Sequence, residues 1–111
     1  MTVGMATPRS PRPLRILVVD DDPAMVGAIT ALVGDRHLDL TPIEYRLAEA
    51  LVRAGGDLVP HLRLVRAGWP AEADPDLLWL KPHVARLRRK VEAAGGPAIL
   101  AIRGVGYRLG A

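Results

Sequence analysis

Seven cations crowd the last third of the chain. Lys81, Arg86, Arg88, Arg89, Lys90, Arg103 and Arg108 meet only Asp76 and Glu92 across residues 76–111. Residues 1–40 and 41–75 each hold four basic and five acidic groups, so the net +3 of the chain comes wholly from this end. Arg presents a planar fork of donors that fits a phosphate or the major-groove edge of guanine, and Lys adds a point charge. Such asymmetry is the electrostatic footprint expected of a surface that binds a polyanion. A second chemical candidate is the acidic run Asp20-Asp21-Asp22. Carboxylates of this kind serve hard divalent cations, which need further oxygen ligands from elsewhere in the chain. With no cysteine there is no thiolate metal site, disulfide or cysteine nucleophile. No acid–base pair or nucleophile motif stands out, so neither an enzyme nor a cofactor is expected.

The elements that must position the cations can be read from periodicity. Within WLKPHVARLRRKVEA, Leu80, Val84, Leu87 and Val91 fall on one narrow stripe at about 100° per residue. Lys81, Arg86, Arg88 and Arg89 point away from it. His83 and Lys90 lie at its edges: His83 either packs or binds, and Lys90 flanks the core. Arg88 is also within reach of Glu92, four residues on. Pro82 interrupts the pattern, since proline removes a helical hydrogen bond. Either the helix kinks there, or it starts there with residues 75–80 as a separate turn. Behind the helix, ILAIRGVGYRL reads as a hairpin whose Gly104 and Gly106 allow a tight turn presenting Arg103.

Upstream, LTPIEYRLAEALVRAGG contains a near-complete helix start. Thr41 is the expected N-cap, Pro42 takes the first helical position and Glu44 closes a capping box. Leu40 and Tyr45 stand where a hydrophobic staple requires them; Ile43, Leu47 and Leu51 form the buried side, and Gly55-Gly56 ends the helix. A short apolar pair, Leu58-Val59, and a second helix from about Pro60 to Ala67 follow. Trp69 reads as a core plug. The loop PAEADPD leads to the basic helix, with Asp74 and Pro75 as its cap.

The first third is less decided. Residues 1–13, with three prolines, read as a disordered tail. Ile16 to Val19 is a β-branched run suited to a buried strand. After Asp22 as cap and Pro23 as first helical residue, Met25, Val26, Ile29, Leu32 and Val33 keep helical spacing up to Gly34. The same residues also fit a hairpin, with Gly34-Asp35 as the turn between residues 28–33 and 36–40. Periodicity favours the helix. No apolar run is long enough to span a membrane and the N-terminus lacks a signal-like segment, so the expected location is the cytoplasm.

LTPIEYRL, HVARLRRKVE and IRGVGYRL, in that order, resemble the C-terminal DNA-binding domain of OmpR/PhoB-family response regulators, over residues 38–110. The resemblance implies an α+β winged helix-turn-helix of three helices and a C-terminal β-hairpin wing, spanning residues 35–111. It also implies a small antiparallel sheet where the hairpin reading places one. The family sets its third helix in the major groove of double-stranded DNA and its wing in the adjacent minor groove. By position, Lys81, His83, Arg86, Arg88 and Arg89 become DNA contacts of the helix; Arg103 is the wing arginine, supported by Tyr107. Residues 14–34 resemble the opening β-α unit of receiver domains, in which the pair matching Asp20 and Asp21 helps hold Mg²⁺. The receiver pattern stops by about residue 34, so that pair is read as vestigial, without metal and without control by phosphorylation. Residues 70–76 occupy a loop that in relatives can face RNA polymerase. The implied function is sequence-specific transcription regulation. The alternative is a winged helix that binds polymerase or a full-length regulator without reading DNA. Ala85 stands where many relatives are basic, which removes one expected contact.

Overall fold

The computed structural model describes residues 13–17, 29–34 and 36–110. The elements run β1 (Leu14–Leu17), β2 (Ile29–Val33), β3 (Arg36–Leu40), α1 (Pro42–Arg53), β4 (Val59–Pro60), α2 (His61–Gly68), a 3-10 turn (Leu77–Trp79), α3 (Leu80–Ala93), β5 (Ile99–Ile102) and β6 (Gly106–Leu109). Two antiparallel three-stranded sheets result, ordered β1-β2-β3 and β4-β6-β5; α1 follows the first sheet, and β4 of the second lies between α1 and α2. Among the described residues no helix is long and apolar enough to cross a membrane.

The first sheet overturns the helical reading of residues 29–33. Ile29 to Val33 pair antiparallel with Leu40 to Arg36 on one side, and Thr30 to Val33 pair with Leu17 to Leu14 on the other. Short apolar runs fit either period, and here the β-branched residues Ile29, Thr30 and Val33 settle into a strand whose polar backbone is satisfied from both neighbours. Gly34 is the turn, with φ of 61°. Residues 18–28, including Asp20, Asp21 and the first half of the expected helix, lie outside the described residues, as do residues 1–12.

Helix α1 starts as the sequence requires. Thr41 Oγ1 accepts from the Glu44 backbone N–H at 3.2 Å, and Glu44 Oε1 accepts from the Thr41 N–H at 3.0 Å. Helix α2 begins at His61 behind Pro60, which gives no side-chain cap. The cap at the α2–α3 connection is Asp76 and not Asp74: its carboxylate accepts from the Leu78 N–H at 2.9 Å. The chain then makes a 3-10 turn and enters α3 at Leu80, which puts Pro82 in the first helical turn. There the missing N–H would have had no helical partner. A continuous α-helix upstream would drive the proline ring against the Leu78 carbonyl, so the preceding segment is a separate 3-10 turn, without a mid-helix kink.

The core takes one face from every helix. Leu47 and Leu51 from α1, Leu64 and Val65 from α2, and Leu80, Val84, Leu87 and Val91 from α3 are buried, with Val33 and Leu40 from the first sheet and Val59 and Ile99 from the second. The apolar stripe of the basic helix is therefore the side that seals the domain.

Candidate nucleic-acid interface

Burial of that stripe decides which cations of α3 face solvent. Lys81, Arg86 and Arg89 are exposed. Among the described residues the ion pairs are Arg53–Glu49 and Lys90–Glu44, so none of these three belongs to one. Arg88 is held differently. Its Nε donates to the Ile99 carbonyl of β5 at 3.1 Å, joining the basic helix to the wing, and not to Glu92, four residues on.

His83 is half-buried, with its ring edge-on to Trp69 at 5.2 Å between centroids, and Trp69 in turn packs on Trp79 at 5.4 Å. Its Nδ1 is buried and has no partner among the described residues. His83 is thus packed, one of the two roles its position at the stripe's edge left open. The three rings brace the start of α3 against the end of α2; Trp69, half-buried, also packs against the core as expected.

The wing is built from β5 and β6, joined by Arg103, Gly104 and Val105, all exposed. Val105 N–H donates to the Ile102 carbonyl at 2.9 Å and closes the turn. Gly104 has φ of 76°, a conformation that strains any residue with a Cβ. Gly106 is glycine for another reason than the turn. A Cβ there would lie 2.0 Å from the Val59 carbonyl oxygen, so it permits the close approach of β4. Tyr107 is half-buried and edge-on to His61 at 5.5 Å, and the His61 N–H donates to the Val105 carbonyl. These contacts fasten the wing to α2 and leave Arg103 outward at its tip.

The residue that sequence reasoning undervalued is Lys90. Its Nζ donates to Glu44 Oε1 at 2.6 Å and to the Asp39 carbonyl at 2.9 Å. Glu44 is 1% exposed. Burial pushes the Glu44 carboxyl up, but the hydrogen bonds from Lys90 and the Thr41 backbone, with the Lys90 charge, outweigh it and hold the carboxyl below its ordinary range. The position of Lys90 at the edge of the apolar stripe was the available signal. Its partner lies 46 residues away and is not visible in the helix alone. No group of His, Asp and Glu among the described residues is arranged to hold a metal ion.

A capped helix, a second helix, a basic third helix and a β-hairpin fastened to the second define a winged helix-turn-helix, the class that the motifs imply. Residues 35–109 match the family described as transcriptional regulatory protein, C terminal, and the chain belongs to that family of DNA-binding regulatory domains, which are not enzymes. The two-component response regulator PhoP of Pseudomonas aeruginosa is 40% identical over 78 residues, covering 69% of this chain and 35% of that protein. The chain thus spans about a third of that relative's length. Among solved structures, the C-terminal domain of the nisin resistance regulator NsrR superposes with a TM-score of 0.64 at 27% identity, over 74% of this chain and 84% of that one. The AdeR DNA-binding domain, solved in complex with an intercistronic region, gives a TM-score of 0.65 at 24% identity, over 86% of this chain and 94% of that one.

Proposed function

We propose that this chain is a sequence-specific, DNA-binding transcription regulator that places α3 in the major groove and the wing tip in the adjacent minor groove. The observation that carries this reading is the division of α3: its apolar stripe is sealed in the core while Lys81, Arg86 and Arg89 stand exposed on the surface. Arg103, exposed at the wing tip, adds a second cationic point. Arg86, Arg89 and Arg103 are the principal contacts, with Lys81 on phosphate. Arg88, His83 and Tyr107 take part from half-buried positions, through whatever edge their internal contacts leave accessible. The work is done in the cytoplasm.

Control by phosphorylation lies outside this function. In support, β1 and β2 complete an antiparallel sheet with β3, where a receiver opening would need a strand followed by a helix. On this reading β1 and β2 serve, with β3, as an N-terminal platform for the helices. Incubation with acetyl phosphate and Mg²⁺ leaves the mass unchanged; a gain of one phosphoryl group overturns this part.

The experiment for the main reading is fluorescence anisotropy with random and promoter duplexes at two salt concentrations. Phosphate contacts release counterions, so affinity falls steeply with salt, by about 0.9 in log–log slope for each phosphate neutralised. Arg86→Ala and Arg103→Ala each weaken binding. Salt-independent behaviour, or wild-type affinity in both variants, sinks the reading.

A polymerase-facing role for residues 70–76 has its own support. Glu72, Asp74 and Asp76 are exposed beside exposed Leu77, Leu78 (79%) and Trp79, an acidic and apolar surface unsuited to DNA. Leu78→Asp abolishes transcriptional stimulation by purified polymerase and leaves DNA affinity intact. Equal loss of both measurements counts against a separate polymerase surface.

A further inference from the structure

We propose that Lys90 is a positioning residue: by tying the C-terminal half of α3 to the corner between β3 and α1, it sets the roll of the helix and hence the aim of Arg86 and Arg89. The inference rests on the DNA-binding reading above and assigns a role within it.

The geometry separates Lys90 from its basic neighbours. Its ammonium group has three N–H donors, and two of them face inward, to Glu44 Oε1 at 2.6 Å and the Asp39 carbonyl at 2.9 Å. Glu44 is buried and also accepts from the Thr41 N–H, so one carboxylate joins the start of α1 to the end of α3. The Asp39 carbonyl brings β3 to the same point. A Lys held this way is poorly disposed to a phosphate.

The need for such a tie follows from how α3 is otherwise held. Leu80, Val84, Leu87 and Val91 contribute apolar burial, which is strong but non-directional. Polar tethers supply direction: Arg36 of β3 donates to the Ala93 carbonyl at a long 3.5 Å, and two side chains of α3 itself make shorter contacts. Arg88 holds one flank of the helix to β5 and Lys90 holds the opposite flank to β3 and α1. At about 100° per residue the two lie roughly 160° apart around the axis. Tethers on opposite flanks resist rotation of the helix on its apolar seat. Lys90 also sits one turn beyond Arg86 and beside Arg89, so a roll released at Lys90 displaces both side chains. Base readout depends on the direction of a donor fork, whereas phosphate attraction tolerates small displacements.

Two probes test this: a duplex selected by the wild-type chain from a randomised pool, and a random duplex of the same length. Lys90→Met is compared with Glu44→Gln/Lys90→Met, in which neither partner is left as an unpaired buried charge, with folding checked by circular dichroism. The double variant folds, keeps the wild-type salt slope on the random duplex and loses roughly tenfold in preference for the selected one, within the range that one lost base contact costs. Arg86→Ala serves as the contact reference and lowers affinity directly. If Lys90 were itself a phosphate contact, its loss would weaken both duplexes equally and reduce the salt slope by about one; that result overturns the proposal. So does an unchanged preference in the folded double variant. Failure of the wild-type chain to bind either duplex is a different outcome and removes the DNA-binding reading itself.

Discussion

The two ends of α3 are held by different physics. At its start the helix has no side-chain cap; it emerges from a 3-10 turn and is braced by the rings of Trp69, Trp79 and His83. Toward its end, charged and hydrogen-bonding groups reach across the fold: Arg88 to Ile99, and Lys90 to Glu44 and Asp39. Aromatic packing tolerates sliding and rotation better than a charged group in a buried pair does. The rear of the helix therefore carries the directional restraint. The front borders an exposed acidic and apolar surface that is available to other partners.

Four measurements test that contrast. The largest effect belongs to the rear. Lys90→Met leaves the buried Glu44 carboxylate without its cation and lowers stability by about 2 kcal/mol, less than for a fully sealed pair because Lys90 is more than a third exposed. In thermal melts this is a fall of roughly 10 °C, and recovery in Glu44→Gln/Lys90→Met shows that the loss came from the stranded charge. Acid should reproduce part of it. Glu44 has a folded pKa below its ordinary value of 4.5, so the stability it contributes is complete above 4.5 and is lost as pH falls through the lower folded value. Melts below pH 4.5 that decline as steeply in Glu44→Gln as in wild type contradict this assignment.

The front of the helix gives smaller effects. Trp79→Ala removes one ring from the brace and costs about 1 kcal/mol, since Trp79 is already partly exposed. A loss as large as that of Lys90→Met would mean that both ends restrain the helix equally. Pro82→Ala is the smallest, within about 0.5 kcal/mol either way, because a first-turn position needs no N–H. A clear rise in helicity and melting temperature in that variant would restore the kink that the 3-10 turn avoids.

Much of this architecture is written locally. The capping box of Thr41 and Glu44 needs residues three apart, and the stripe Leu80, Val84, Leu87, Val91 needs one helix, so both can be read directly from spacing. The wing is legible in RGVGYRL, although Gly106 serves the approach of Val59 and not the turn. Residues 29–33 mislead because a short apolar run satisfies both periods, and the strand is chosen by neighbours on β1 and β3. Asp76 displaces Asp74 as cap because the 3-10 turn, invisible in the pattern, moves the start of the element. In the site, exposure of Lys81, Arg86 and Arg89 follows from their helical spacing. The inward turns of Arg88 and Lys90 do not, since each answers to a group on another element.

Contacts within a few residues set what was readable before folding: the capped start of α1, the buried stripe, the glycine-dependent hairpin and the cationic face. Those features depend on backbone geometry and short-range hydrogen bonding, which repeat wherever the same spacing recurs. Tertiary structure decided that Arg88 and Lys90 become tethers, and that residues 29–33 join a sheet. A Lys or a β-branched run has several acceptable local states of similar energy. The choice between them is made by the carboxylate, carbonyl or strand that folding brings alongside.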